Sequence, residues 1–116
     1  MAKTNDLVVW FEELDSDDVA RVGGKNASLG EMIRTLKEDG IRIPDGFATT
    51  AAAYRAFLEE NELLGPLRDR LGALASGDAS LRDTGKAVRR LITNAGFSED
   101  LSGAVRSAYE ELCRRY

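Results

Sequence analysis

Apolar positions along the chain switch between the spacing of a strand and that of a helix, and the switches set the expected order of elements. Leu7-Val8-Val9-Trp10-Phe11 is a β-branched and aromatic run with the length of a buried strand. The acidic stretch from Glu12 to Asp18 reads as a loop or a short turn of helix. Leu29, Met32, Ile33 and Leu36 then stand at i, i+3, i+4 and i+7, one stripe of an amphipathic helix. Asn26 is its expected N-cap, with Ser28 competing because Glu31 completes a capping-box pattern. Gly40 is expected to end the helix, since glycine adopts the left-handed conformation without strain. Pro44-Asp45-Gly46 signals a turn before a second short strand, Phe47-Ala48-Thr49. Thr49 or Thr50 can cap the next helix, whose inward face would be Ala53, Tyr54, Phe57 and Leu58. Leu64, Leu67, Leu71 and Leu74 continue at helical spacing. Beyond a small, polar loop at Ser76–Ser80, Leu81, Val88, Leu91 and Ile92 mark another helix, ending near Gly96. Ser98 is placed to cap the last one, with Leu101, Val105, Ala108 and Leu112 inward. The pattern predicts a helix-rich α/β chain of about five helices and two short strands, sharing one core.

Composition narrows what such a chain can do. Its 116 residues suit one domain, and at that size folding buries roughly two-thirds of the extended surface. Hydrophobic residues are 43% and charged residues 31%, ordinary for a globular protein. The net charge of −4, with signs interspersed, offers no general footprint for nucleic acid. No apolar run approaches the roughly 20 residues that span a bilayer, and the first residues, Met1 to Asp6, are too polar for a secretory signal. With Cys113 alone, no intramolecular disulfide or multi-Cys zinc site can form. A cytoplasmic protein without nucleic-acid or membrane partners is the simplest reading. The absence of histidine excludes more: no Ser-His-Asp or Cys-His triad, no His-ligated metal and no phosphohistidine on this chain.

Candidate chemistry therefore rests on other groups. In Gly23-Gly24-Lys25-Asn26, two glycines let backbone N–H groups approach an anion closely, and the helix start adds unpaired donors and a partial positive charge. Lys25 adds a full one. The same residues also suit a plain loop-to-helix turn with a surface lysine. A Walker A loop is excluded, because Val19 and Asn26 stand where Gly and Ser or Thr would be needed. Cys113, beside an apolar stripe, reads as a partly buried structural thiol more readily than a reactive one. Trp10 and Tyr54 could stack on a base, but aromatics in apolar runs usually join a core. Glu12, Glu13, Asp15, Asp17 and Asp18 lack the regular spacing of a calcium loop and read as a solvated acidic loop. Leu64 to Leu74 is too short for a dimer seam and reads as core.

Two longer blocks carry a family resemblance. Val22-Gly-Gly-Lys-Asn-Ala-Ser-Leu-Gly-Glu-Met-Ile33 is followed by Gly40-Ile-Arg-Ile-Pro-Asp-Gly-Phe-Ala-Thr-Thr-Ala51 and Tyr54-Arg-Ala-Phe-Leu58. Together they resemble the start of the phosphoenolpyruvate synthase and pyruvate phosphate dikinase family, strongly through residue 58 and more loosely beyond it. Rifampicin phosphotransferases share the Gly-Gly-Lys and Pro-x-Gly-Phe elements. Asn26-Ala27-Ser28 and Ala48-Thr49-Thr50 favour the synthase branch. The resemblance implies that residues 1–116 are the N-terminal part of an ATP-grasp-like nucleotide-binding domain. It implies a parent phosphotransferase that converts ATP, pyruvate and water to AMP, phosphoenolpyruvate and phosphate through a phosphohistidine. In this reading Lys25 reaches the ATP phosphates, Gly23 and Gly24 contribute backbone N–H groups, and the chain holds no catalytic and no metal-binding residue of its own. Mg2+, pyruvate and the phosphohistidine would be handled by the parent's remaining domains, so the chain alone would be inactive and would bind nucleotide weakly. The alternatives are a piece of a rifampicin phosphotransferase or pyruvate phosphate dikinase, or a free-standing helical module that binds a partner protein.

Overall fold

A computed structural model of the chain describes residues 6–116; the polar Met1–Asn5 segment, read above as no secretory signal, lies outside the described residues. Strand β1 (Val8–Trp10) leads into two 3-10 turns, Phe11–Glu13 and Ser16–Asp18, and a four-residue helix α1 (Val19–Val22). Helix α2 (Gly24–Glu38) and strand β2 (Phe47–Thr49) follow, then helices α3 (Ala51–Glu60), α4 (Leu64–Ser76), α5 (Leu81–Thr93) and α6 (Glu99–Arg115). The helix-rich α/β class is as expected, with α1 added as a short sixth helix. None of these helices is long and apolar enough to cross a membrane.

The chain divides into two compact units, residues 6–54 with 99–116, and residues 55–98. The single core expected from the apolar stripes is thus two clusters, one in each unit.

In the first unit, β1 and β2 pair antiparallel with Val8 opposite Thr49, Val9 opposite Ala48 and Trp10 opposite Phe47. Alternation puts Val9 and Ala48 on the buried face, while the Trp10 and Phe47 rings meet edge to face at 5.7 Å on the other. Val9 clusters with Leu14, Val22 and Ala27, and Phe11 packs against them. The segment after β1 crosses the face of α2 at close range. A Cβ at Gly30 would stand 2.6 Å from Leu14 Cβ and 2.9 Å from the Phe11 carbonyl oxygen. Arg34, one turn on, donates from Nη2 to the Leu14 carbonyl at 2.7 Å, and Glu31 Oε1 accepts from the Ser16 N–H. The buried face of α2 is therefore Ala27, Gly30 and Ile33; of the expected stripe Ile33 is buried, Leu29 and Leu36 are half-buried, and Met32 is 46% exposed. Only a small side chain lets two backbones come so near, so hydrophobicity and burial part company here.

Helix α2 ends as expected. Gly40 takes φ +80°, its N–H bonds to the Lys37 carbonyl, and the Ile41 N–H bonds to the Leu36 carbonyl. This double closure satisfies carbonyls the helix end would leave unpaired. Thr50, rather than Thr49, caps α3: its hydroxyl accepts from the Ala53 N–H and donates to the Asp6 carbonyl.

The second unit packs Phe57, Leu58 and Leu63 against Leu67, Leu91, Ile92 and Ala95. Ser80 caps α5 by accepting from the Asp83 N–H at 3.1 Å. Several residues expected inward are exposed: Tyr54, Leu64, Leu71 and, at 75%, Leu81. Leu81 is the first residue of its helix and precedes the turns that face the cluster.

Candidate phosphate-binding turn

The acidic stretch builds the approach to Lys25. Asp15 Oδ1 accepts from the Asp17 N–H at 2.8 Å, and Asp18 Oδ2 accepts from the Asp15 N–H at 3.0 Å, a reciprocal capping box that starts the run into α1. Asp18 also pairs with Arg21 at 3.3 Å, and Glu12 lies 3.9 Å from Lys37 and 3.5 Å from Arg115. These carboxylates are committed to caps and ion pairs. Among the described residues no three His, Cys, Asp or Glu side chains converge to hold a metal ion.

Gly23 then breaks the helix with φ +86° and ψ 163°, a conformation that strains any residue with a Cβ. The Gly23 N–H closes α1 on the Val19 carbonyl, and the Gly23 carbonyl accepts from Ala27 to open α2. Helix α2 thus begins at Gly24, two residues earlier than its expected cap. Asn26 is inside the first turn, and its Nδ2 reaches back to the Val22 carbonyl at 2.8 Å; Ser28 lies deeper in the helix. Neither residue caps α2. The N-terminal N–H groups of α2 have no intrahelical acceptor and point out of the turn.

Gly23, Gly24 and Lys25 are all exposed. A Cβ at Gly24 would meet nothing within 4 Å, so no neighbour on this chain demands glycine there. Lys25 makes no ion pair among the described residues. The structure therefore brings together two glycines, free helix N-terminal donors and an unpaired ammonium. That arrangement suits the oxygens of a polyphosphate.

The other candidates fall outside this turn. Cys113 is exposed, correcting its reading as a partly buried thiol, because α6 turns that side away from Ala108. Tyr54 is 55% exposed rather than core. Both contact directions of Trp10 are used within its own unit, by Phe47 at its edge and by the Arg115 guanidinium 3.9 Å from its ring centre. Arg21 is a residue the sequence reading passed over. Its Nε and Nη2 are buried without hydrogen bonds, although Asp6 lies 4.0 Å from Nη2. No spacing rule marks such a residue, since its burial depends on how the 6–18 segment folds over it.

The chain belongs to the pyruvate phosphate dikinase AMP/ATP-binding domain family, whose pattern matches residues 19–116. It is 46% identical over 98% of its length to the phosphoenolpyruvate synthase of Synechocystis sp., and 48% identical over 93% to that of Neisseria meningitidis serogroup B. Identity to the phosphoenolpyruvate synthase of Escherichia coli K12 is 41% over 91% of the chain. The chain spans only 14% of the length of each of these relatives.

Proposed function

We infer that this chain is the part of a phosphoenolpyruvate synthase that grips the ATP phosphates, within a nucleotide-binding domain completed by residues beyond it. The observation that carries this reading is the turn at Gly23–Lys25, where an unpaired lysine, free helix donors and an uncrowded Gly24 share one surface. Identity of 41–48% to three phosphoenolpyruvate synthases supports the synthase assignment.

In the parent reaction ATP donates a pyrophosphoryl group to a histidine, one phosphate is lost to water, and the remaining phosphoryl group passes to pyruvate. This chain has no histidine, so the carrier residue lies outside it. Its contribution is electrostatic. Lys25 and the N–H groups of Gly24 to Asn26 hold the phosphate oxygens and meet charge as it develops during transfer. Magnesium would neutralise phosphate charge in the parent with ligands from other segments.

The test has two arms. A preorganised charge contact in a closed site is worth roughly 2.7–4 kcal/mol, so Lys25→Met in the full-length parent should slow phosphohistidine formation by about two to three orders of magnitude with folding intact. In the 116-residue chain Lys25 faces water, where a charge contact contributes roughly 0–1 kcal/mol. ATP binding there should be millimolar at best and insensitive to Lys25→Met, followed through the amides of Gly23 to Ala27. Saturation at low micromolar ATP would show a site already complete on this chain and overturn the reading of shared construction.

A further inference from the structure

Within residues 55–98, the cleft between α4 and α5 has a volume of about 410 Å3 and is bordered by Arg70, Arg90, Asn61, Asn94, Leu63 and Leu91. This is within the range of sites that hold small molecules, roughly 300–1,000 Å3. Its floor is apolar, because Leu63 and Leu91 belong to the packed cluster of this unit.

The rim is polar and cationic. Asn61 forms a fixed wall: Nδ2 donates to the Phe57 and Gly96 carbonyls, each at 2.9 Å, and Oδ1 accepts from the Gly96 N–H at 3.1 Å. The guanidinium groups of Arg70 and Arg90, and the Asn94 amide, have no side-chain hydrogen bond or ion pair among the described residues. Two guanidinium groups from two different helices border one cleft, both without a side-chain partner among the described residues. Arginine presents its donors in a planar fork that matches phosphate or carboxylate oxygens.

We propose that this cleft binds a small organic anion, a phosphate or carboxylate carried on an apolar body. Arg70 and Arg90 hold its oxygens, Asn94 adds a donor, and the body lies on Leu63 and Leu91. An acidic protein would instead use Arg82, Lys86 and Arg89 of α5, which do not border the cleft.

Phenyl phosphate is the probe, titrated into the 116-residue chain with backbone amide and arginine Nε–H signals followed by NMR. A ligand of that size with average efficiency per atom should saturate near about 1 mM. The shifts should centre on Arg70, Arg90 and Asn94, and inorganic phosphate should bind about tenfold more weakly for want of the apolar contact. Arg70→Gln and Arg90→Gln alter exposed side chains, so both should fold, as an unchanged far-UV spectrum would verify. Each should weaken phenyl phosphate by about tenfold. The proposal is overturned by shifts that stay linear in concentration, by equal binding of inorganic phosphate, or by glutamine variants that bind like the parent. Shifts confined to Gly23–Ala27, or a hexaglutamate peptide binding more tightly through Arg82, Lys86 and Arg89, would overturn it as well.

Discussion

Gly30 shows how one missing methyl can decide a packing arrangement. The Leu14 side chain and the Phe11 and Leu14 carbonyls occupy the space a Cβ would need, at 2.6 to 3.0 Å. Gly30→Ala should therefore destabilise the chain by about 1–3 kcal/mol in urea melts, as overpacking does, although alanine is the better helix former. Gly72, interior to α4 with nothing within 4 Å of its Cβ position, is the matched control. Gly72→Ala should stabilise by about 0.5–1 kcal/mol. Equal effects at the two positions would mean that the 11–14 segment does not cross α2 so closely. At this scale the sequence was legible where chemistry is local. Gly40 ends its helix as its neighbours imply, and Lys25 lies on a helix start behind two glycines. Asn26 misled because Gly23 opens the helix early and leaves the amide to bond backwards.

Among the elements, the end of α6 is tied to the turn before β2. Asp45, its side chain 7% exposed, accepts from the N–H groups of Gly46 at 2.8 Å and Glu12 at 3.2 Å, and from Arg115 at 3.1 Å. The Asp45 N–H donates to the Tyr116 hydroxyl. Asp45→Ala should cost about 1–3 kcal/mol, because it leaves the Glu12 and Gly46 donors without their acceptor. Asp45→Asn loses the charge but retains an acceptor oxygen and should lose less; an equal loss for the two variants in thermal melts would assign the effect to charge alone. On α6 itself, Glu111 accepts from Arg115 and Arg114, and these hydrogen bonds, Arg115 first, hold its carboxyl below the ordinary 4.5. A carboxylate depressed in the folded state contributes stability that is present above its unfolded pKa and lost as pH falls through the folded one. The amides of Leu112 to Tyr116, measured against their intrinsic exchange rates, should accordingly lose protection as pH drops below 4.5, and Glu111→Gln should remove that dependence. The strands and long helices were readable because period and turn residues agree. The Asp45 tie was not: Pro44-Asp45-Gly46 announces a turn, while two of its partners, Arg115 and Tyr116, lie about seventy positions away in sequence.

For the whole molecule, apolar stripes gave the number of long helices correctly but not the division into two units. Periodicity identifies which residues want burial and carries no record of which stripe meets which. Leu63, 7% exposed among Phe57, Leu58 and Leu67, lies off every stripe read from the sequence, yet it is one of the three buried members of its cluster. Leu63→Ala should cost about 2–5 kcal/mol, read by hydrogen exchange as lost protection in α4 and α5. A loss below about 1 kcal/mol would place Leu63 at the surface.

The molecule also contains its own optical reporter. Trp10 is the one tryptophan, and the Arg115 guanidinium lies 3.9 Å above its ring. Indole emission therefore senses whether the last turn of α6 is seated, which gives a label-free view of that end as pH or denaturant changes. It also sets a condition on nucleotide work: a change in emission on adding ATP would include any movement at Arg115. Fluorescence of this chain should be calibrated with Arg115→Ala before any quenching curve is read as binding.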